Sequence, residues 1–370
     1  MIKTFLISLF TNVLGIVFLI TIANKESSWV YDIGSLLTLT VAISTLSSVG
    51  FTSYIFRKGF PDSKKLFRRY LISISFYKLL FTTIVGLVLY KFGIISIHGF
   101  IYLLIFICFE NFSFALKSFN QMNFLQISTF IIVNVPKLLV LSGFITTVDL
   151  YILFLALGYL VIIVSSFLII KPIFILVKPR FNTTYLRDAY FNYILREYDN
   201  LIALIISPTF YESYYIFRKF YIVMRQTLSL VIEKLAINKN KYEINMKLVY
   251  DKYLVIFCFS SFILLFPLIY FSINFVYKIY LTKYSPDPLN LIIISLCMVS
   301  LFVHKPIYSW LNFGGNVMLY KKNITTYFLS TLLSFSILII LKPDYMILGF
   351  LISNIISFII SINLYRKYEL

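Results

Sequence analysis

Residues 149–172, DLYILFLALGYLVIIVSSFLIIKP, decide the fold class of the chain. No charged residue lies between Asp149 and Lys171, and a run of about 20 apolar residues is long enough to cross a bilayer as one helix. The apolar residues are continuous and do not alternate with polar ones, as they do in the strands of a membrane β-barrel. The stretch therefore predicts a membrane-spanning α-helix.

The rest of the chain of 370 residues has the same character. Hydrophobic residue types make up 60% of it and charged residues 13%, whereas a soluble domain is roughly 45–50% apolar and about 25% charged. A water-soluble globule could not bury so much apolar surface, which excludes a soluble enzyme, a disulfide-rich secreted domain and a disordered chain. The composition indicates an all-α polytopic membrane protein.

Along the whole chain, about twelve membrane-spanning stretches of this kind can be counted. Most are continuous apolar runs, and no predicted loop is long enough to hold a soluble domain. The predicted spans are 4–23, 33–56, 70–90, 99–116, 124–146, 149–172, 188–206, 209–235, 253–277, 288–311, 323–341 and 345–364.

The basic residues predict which side of the membrane each loop occupies. With the N-terminus inside, the inner loops and tails hold 21 of the 33 Lys and Arg residues, and the outer loops hold five. This asymmetry is the positive-inside rule, and it predicts that both termini are cytoplasmic. Most of the formal net charge of +18 then follows from topology and requires no nucleic-acid partner.

The basic loop 173–187 divides the predicted spans into six and six. Equal halves are a common plan in transporters, with the substrate site at the interface between them. We therefore expect an N-terminal six-helix bundle over residues 1–177 and a C-terminal one over residues 178–370, around a central cavity.

Charges inside the spans are the main candidates for function, because an intramembrane charge is costly and usually faces a water-filled interior. Arg218 and Arg225 are seven residues apart, which places them on nearly the same helix face. Cations lining a cavity would suit an anionic substrate, above all phosphate. A structural role, in salt bridges or in contacts with lipid phosphate, is the alternative. The predicted cationic set is Lys78, Lys137, Arg196, Arg218 and Arg225.

The other chemistry-bearing residues give weaker signals. Three cysteines lie in apolar spans and the two histidines are far apart, so we predict no metal site and no cofactor. Tyrosines of the seventh and eighth spans could stack on sugar rings or bond hydroxyls, although tyrosine is common at membrane interfaces. They are Tyr193, Tyr198, Tyr211, Tyr214, Tyr215 and Tyr221.

Two stretches and the whole-chain pattern carry a family resemblance. In residues 11–58, a first helix precedes a loop with Tyr31 and Gly34, then a second helix with Gly50 and a basic end. In residues 196–222, REYDNLIALIISPTFYESYYIFRKFYI, Asp199 precedes a turn and a tyrosine-bearing helix. With the six-plus-six pattern, the chain resembles the Wzx-type polysaccharide flippases, which translocate O-antigen or capsule repeat units, within the MATE-like (MOP) superfamily.

The resemblance implies a V-shaped pair of bundles that moves an undecaprenyl-pyrophosphate-linked glycan across the bacterial cytoplasmic membrane. It implies a transporter rather than an enzyme, with other glycan-assembly membrane proteins as further partners. Some members couple transport to H⁺ or Na⁺ antiport. Glu110 or Asp199 could bind that coupling ion, since burial favours the neutral form of a carboxyl. A salt bridge from Asp199 to Arg196 is the alternative for Asp199.

Two other classes stay open at this point. A multidrug or cation exporter of the same superfamily is one, although a positive interior argues against cation export. A membrane glycan polymerase or glycosyltransferase is the other, although the outer loops are short for that class.

Overall fold

The computed structural model describes residues 2–25, 27–47, 60–176, 197–236, 250, 253–281, 284, 287–313 and 317–369. Within these ranges the chain is helical apart from short turns, and no β-strand occurs. The predicted all-α class is confirmed.

Twelve α-helices follow one another along the described chain. They are α1 Ile2–Lys25, α2 Ser27–Ser47, α3 Phe60–Lys91, α4 Ile97–Ser118, α5 Met122–Leu141, α6 Val148–Ile170, α7 (residues 197–206), α8 Pro208–Ala236, α9 Leu254–Tyr280, α10 Pro288–Phe313, α11 Val317–Leu341 and α12 Leu348–Glu369. A 3₁₀ turn, Pro343–Tyr345, stands between α11 and α12.

Nine of these helices are long and apolar enough to cross a membrane, counting only the described residues. They are α2 to α6 and α9 to α12. Of the remaining three, α1 contains a shorter apolar stretch, Leu9–Lys25, and α8 carries Glu212, Arg218, Lys219 and Arg225. A polytopic membrane protein is thus shown, and the full count of twelve spans stays a prediction.

The predicted loop before the second span is wrong. Trp29 to Gly34 form the beginning of α2, and only residue 26 separates α1 from α2 in the described chain. Trp29, Val30 and Ile33 are buried, and their spacing places them on one side of a helix. Burial of this apolar side outweighs the weak helix preference of the neighbouring Ser, Asp and Gly residues.

The ends of several helices have local causes. The Ser96 side chain accepts a hydrogen bond from the Gly99 N–H at 3.1 Å and caps α4, and Thr147 caps α6 in the same way. Such caps satisfy N–H groups that the first helical turn leaves without partners. After α5, Gly143 adopts a φ of +82°, a conformation that glycine adopts without strain.

The chain forms two compact units. The N-terminal unit comprises Val13–Ile22 and Glu26–Glu197, and the C-terminal unit comprises Met1–Asn12, Ala23–Lys25 and Tyr198–Leu370. The predicted boundary between residues 177 and 178 lies outside the described residues.

In the N-terminal unit, α4 packs against α3 and α6, while α2 contacts all three of these helices. An aromatic cluster fills the space between α4 and α6. The Phe109 and Tyr159 rings lie 4.4 Å apart, and Tyr102 lies 6.1 Å from Tyr159.

In the C-terminal unit, α12 packs against α10 and α11, and α10 also contacts α8 and α9. Asn354 of α12 is fully buried and connects its neighbours. Its Nδ2 donates to Ser300 Oγ of α10 at 3.1 Å, and its Oδ1 accepts from Tyr327 of α11 at 3.4 Å and Tyr221 of α8 at 3.5 Å. Hydrogen bonds of this kind hold helices together where the lipid offers no hydrophobic driving force.

Candidate functional site

The C-terminal unit buries a complete ion pair between α7 and α8. Arg218 donates to both carboxylate oxygens of Asp199, from Nε at 2.5 Å and from a terminal nitrogen at 3.1 Å, and the Tyr214 hydroxyl adds a third bond at 2.7 Å. The two charged side chains are 7% and 3% exposed. Two-point contact between guanidinium and carboxylate is the strong form of such a pair, and the tyrosine satisfies a further lone pair.

The ion-pair partner of Asp199, Arg218, lies far from it along the chain and was not predicted from the sequence. Arg196, one turn before Asp199, lies outside the described residues, whereas Arg218 follows 19 positions later. Only Ser207 separates α7 from α8, so the two helices form a hairpin. At 1.5 Å per residue, Asp199 and Arg218 lie roughly 12 and 16 Å from that turn, which is nearly the same height.

The N-terminal unit contains a second ion pair, between α3 and α4, whose lysine is buried and whose glutamate is half-buried. Lys78 Nζ lies 2.9 Å from Glu110 Oε2, and the Ser44 hydroxyl of α2 donates to the same oxygen. Lys78 is 4% exposed and the Glu110 side chain 31%. Beside it, Asn111 donates to Ser75 Oγ at 3.3 Å. Three helices thus meet at one carboxylate.

Lys137 lies in the last third of α5, four residues before the helix ends. Its Nζ is 3.7 Å from the position that a Cβ on Gly15 of α1 would occupy. The ammonium thus lies beside α1, at an ordinary contact distance. The side chain is half-buried, and Pro136 precedes it within the helix.

Arg225 stands two turns beyond Arg218 on α8, beside an aromatic cluster of α10 and α11. The hydroxyls of Tyr221, Tyr308 and Tyr327 all lie within electrostatic range of its guanidinium. In the cluster, the Tyr308 and Tyr327 rings are 5.2 Å apart.

Two further α10 residues belong to this cluster. The His304 ring lies 5.3 Å from Tyr308 and 5.4 Å from Tyr327, and Lys305 Nζ lies 5.3 Å from the Tyr308 ring centroid. This part of the C-terminal unit therefore combines two cations, Arg225 and Lys305, with aromatic faces and hydroxyls.

The predicted cationic set thus divides into two kinds of residue. Lys78 and Arg218 have carboxylate partners inside their own units, while the neighbours described for Lys137 and Arg225 are Gly15 and a group of tyrosines. The assignment of any of them to substrate binding stays a prediction. Sequence reasoning missed Ser44 as a partner of Glu110, because the two residues lie 66 positions apart on different helices.

These observations define a polytopic all-α membrane protein with an ion pair between neighbouring helices in each of its two units. Its fold is similar to that of a solved structure of the lipid II flippase MurJ in an inward closed conformation. The TM-score is 0.65 at 15% sequence identity, over 99% of this chain and 88% of that one.

A structure of the Vibrio cholerae MATE transporter VcmN, in mutant form, gives a TM-score of 0.49 at 13% identity, over 99% of this chain and 96% of that one. No protein-family model and no curated protein matches the sequence. The likeness to MurJ shows a shared fold, and the Wzx-type identity stays a prediction.

Proposed function

We propose that the chain is a flippase, not an enzyme. It moves an undecaprenyl-pyrophosphate-linked oligosaccharide repeat unit from the inner to the outer leaflet of the bacterial cytoplasmic membrane by alternating access. The observation that carries this proposal is the likeness of nearly the whole chain to a solved lipid flippase. The intramembrane cations agree with it, because the head of such a substrate is a pyrophosphate.

Arg225 and Lys137 are the cations to which we assign pyrophosphate binding. A guanidinium offers two parallel donors to phosphate oxygens, and an ammonium offers a compact charge. Lys78 and Arg218 are each bonded to a carboxylate on a neighbouring helix, and we assign them the role of holding those helices together.

Coupling to H⁺ or Na⁺ in antiport is proposed at Glu110. Its side chain is 31% exposed, against 3% for Asp199, so an ion can approach Glu110 more easily. Asp199 is a poorer candidate, because Arg218 and Tyr214 occupy its oxygens.

Flipping of a fluorescent undecaprenyl-pyrophosphate oligosaccharide in proteoliposomes tests the proposal, with a membrane-impermeant quencher reporting the leaflet. Arg225→Gln and Lys137→Gln should each slow flipping about 10- to 100-fold, since a hydrogen bond to a charged group contributes about 1.5–3 kcal/mol. Arg225→Lys should retain part of the rate, because it keeps the charge but loses the two-point contact. Lys91→Gln, at an exposed cation, is the matched control.

Unchanged flipping in Arg225→Gln and Lys137→Gln, at normal protein levels, would contradict the assignment of these cations. A wild-type protein that exports organic cations but flips no lipid-linked glycan would instead be an exporter. Chain elongation of the glycan by the purified protein would identify a polymerase.

A further inference from the structure

A groove of about 350 Å³ lies between α11 and α12, near the beginning of α11 and the end of α12. Sites for small molecules commonly have volumes of about 300–1,000 Å³. Neither the ion pairs nor the proposed function uses this groove. Its lining consists of Lys322, Thr325 and Thr326 of α11 and of Ile360 and Leu364 of α12.

The groove lies at the boundary between the apolar and the polar parts of both helices. The apolar span of α11 begins at Lys322, and that of α12 ends at Lys367. The Ser361 hydroxyl donates to Asn323 Oδ1 at 2.9 Å, which holds the beginning of α11 beside the end of α12. We therefore expect a ligand in the groove to lie at the level of the lipid headgroups.

The polar side of the groove is positive and can donate hydrogen bonds. Lys322 is exposed, and the half-buried Thr325 and Thr326 follow it by about one helical turn. None of the five lining residues is acidic. The last turn of α12 adds Arg366 and Lys367, which are both exposed. An ammonium and two hydroxyls can bond the oxygens of one phosphate group, and the further cations increase its attraction.

The apolar side of the groove continues toward the middle of the membrane. Ile360 lies one turn before Leu364 on α12, and Ile356 lies one turn before Ile360. On α11, Leu329 and Leu333 extend the other side of the groove in the same direction. Ile356, Leu329 and Leu333 are 39%, 48% and 58% exposed. They offer a hydrocarbon chain an apolar surface that begins directly beneath the polar end.

This order of chemistries selects among phosphate-bearing ligands. A free phosphate would use the cations but not the apolar surface. A zwitterionic phospholipid has an ammonium group in its head, which the lysine and arginine charges repel. An anionic phospholipid, with a phosphodiester and acyl chains but no ammonium group, matches both sides of the groove.

We propose that this groove is a binding site for an anionic phospholipid. Lys322 and the threonine hydroxyls bond the phosphodiester, and an acyl chain lies along Ile360 and the apolar surface beyond it. The predicted orientation of the chain places this lipid in the inner leaflet. The site goes beyond the proposed function, because its ligand is a lipid of the surrounding membrane and not the flipped substrate.

Native mass spectrometry of the purified full-length protein measures how many lipids bind and how tightly. The probes are dioleoyl-phosphatidylglycerol and dioleoyl-phosphatidylethanolamine, which have the same acyl chains and a phosphate each. The first phosphatidylglycerol should bind about 10-fold more tightly than the first phosphatidylethanolamine, because each nearby basic side chain contributes about fivefold. Glycerol phosphate, which has no acyl chains, should not displace the bound lipid.

Four variants locate the site. Lys322→Gln should weaken phosphatidylglycerol binding about fivefold. Thr325→Val/Thr326→Val should weaken the binding of both lipids, because both present a phosphate. Ile360→Trp should fill the groove and abolish the tight binding of phosphatidylglycerol without changing any charge. Lys342→Gln, at an exposed cation directly after the opposite end of α11, is the matched control and should bind like the wild type.

Several outcomes would overturn the proposal. Equal affinities of the wild type for the two lipids would do so, and so would wild-type affinity for phosphatidylglycerol in both Lys322→Gln and Ile360→Trp. An equal loss in Lys342→Gln and Lys322→Gln would show attraction by overall charge without a site. Displacement of the lipid by glycerol phosphate would identify a site for free phosphate.

Two features keep the test decisive. If Ile360→Trp does not fold, the threonine variant replaces it, and wild-type affinity for both lipids in Thr325→Val/Thr326→Val overturns the phosphate contact. Because no measurement uses flipping, failure of this proposal leaves the proposed function unaffected, and a protein that flips no glycan can still show the lipid site.

Discussion

At the scale of single residues, each buried charged side chain of the described chain has a partner of opposite charge on a neighbouring helix. Asp199 is bound by Arg218 and Tyr214, and Glu110 by Lys78. Removing a charge from water is expensive, and a hydrogen-bonded partner of opposite sign offsets most of that cost. Each pair joins neighbouring helices of one unit and fixes their relative height.

The Asp199–Arg218 pair predicts a non-additive effect on stability. Asp199→Asn leaves the Arg218 guanidinium buried without a counter-charge, and Arg218→Gln leaves the carboxylate in the same position. Each single variant should lose about 3–5 kcal/mol, and the double variant should lose clearly less than the sum. Thermal unfolding of the four proteins in one detergent provides the measurement.

The matched control for this cycle is Asp344→Asn, at an exposed carboxylate, which should change stability by less than about 0.5 kcal/mol. Additive losses from the two single variants would show that the side chains do not act as a pair.

At the scale of helices, close approach depends on small and polar residues. Hydroxyl groups link α11 to α12. Ser330 lies 3.0 Å from Ser357, and Thr331 lies 2.7 Å from Ser353. On the same pair of helices, Gly349 leaves room for the ring of Phe335. Small residues at such contacts let backbones approach and gain van der Waals packing that lipid cannot supply.

Gly349→Ala should therefore destabilise the C-terminal unit. The new Cβ would lie 2.8 Å from two ring carbons of Phe335. That ring is fully buried and packs edge-on against Phe350 at 5.0 Å, so it has little room to move. Overpacking of this kind typically costs about 1–3 kcal/mol, which thermal unfolding would detect.

Gly15→Ala is the control within the chain, because its new Cβ would meet Lys137 Nζ only at 3.7 Å, an ordinary contact distance. Gly15→Ala should unfold at the wild-type temperature. If Gly349→Ala does so as well, α11 and α12 are less tightly packed than described.

At the scale of the whole molecule, the charge asymmetry of the loops predicts the orientation in the membrane. The two ends of α5 offer a direct test, because Met122 begins the helix with 42% exposure and Phe144 follows it with 78%. The positive-inside rule places the Met122 end in the cytoplasm, next to the loop after Lys117.

A cysteine at Phe144 should react with a membrane-impermeant maleimide in intact cells, and one at Met122 should react only after permeabilisation. The background is a protein in which Cys108, Cys258 and Cys297 are replaced by alanine. Equal labelling of both sites after permeabilisation is the control for accessibility. The reverse pattern in intact cells would mean that the N-terminus is outside.

The helices themselves could be predicted closely where the apolar pattern is uninterrupted. The expected spans 99–116 and 149–172 correspond to Ile97–Ser118 and Val148–Ile170. The beginning of α2 could not be predicted, because its Ser, Asp and Gly residues are typical of a turn, and only packing of Trp29, Val30 and Ile33 makes the segment helical. The charged candidate site residues could be identified from the sequence, because a charge inside a membrane span is energetically costly. Their ion-pair partners could not be identified in this way.

The sequence by itself determined the class of this protein. Continuous apolar runs make spanning helices, because this effect depends on neighbouring residues and on the solvent, and the basic residues predict the side of each loop. The tertiary structure alone decided that Arg218 binds Asp199 and that Lys78 binds Glu110. These contacts join residues far apart along the chain, and their geometry depends on how the helices are packed.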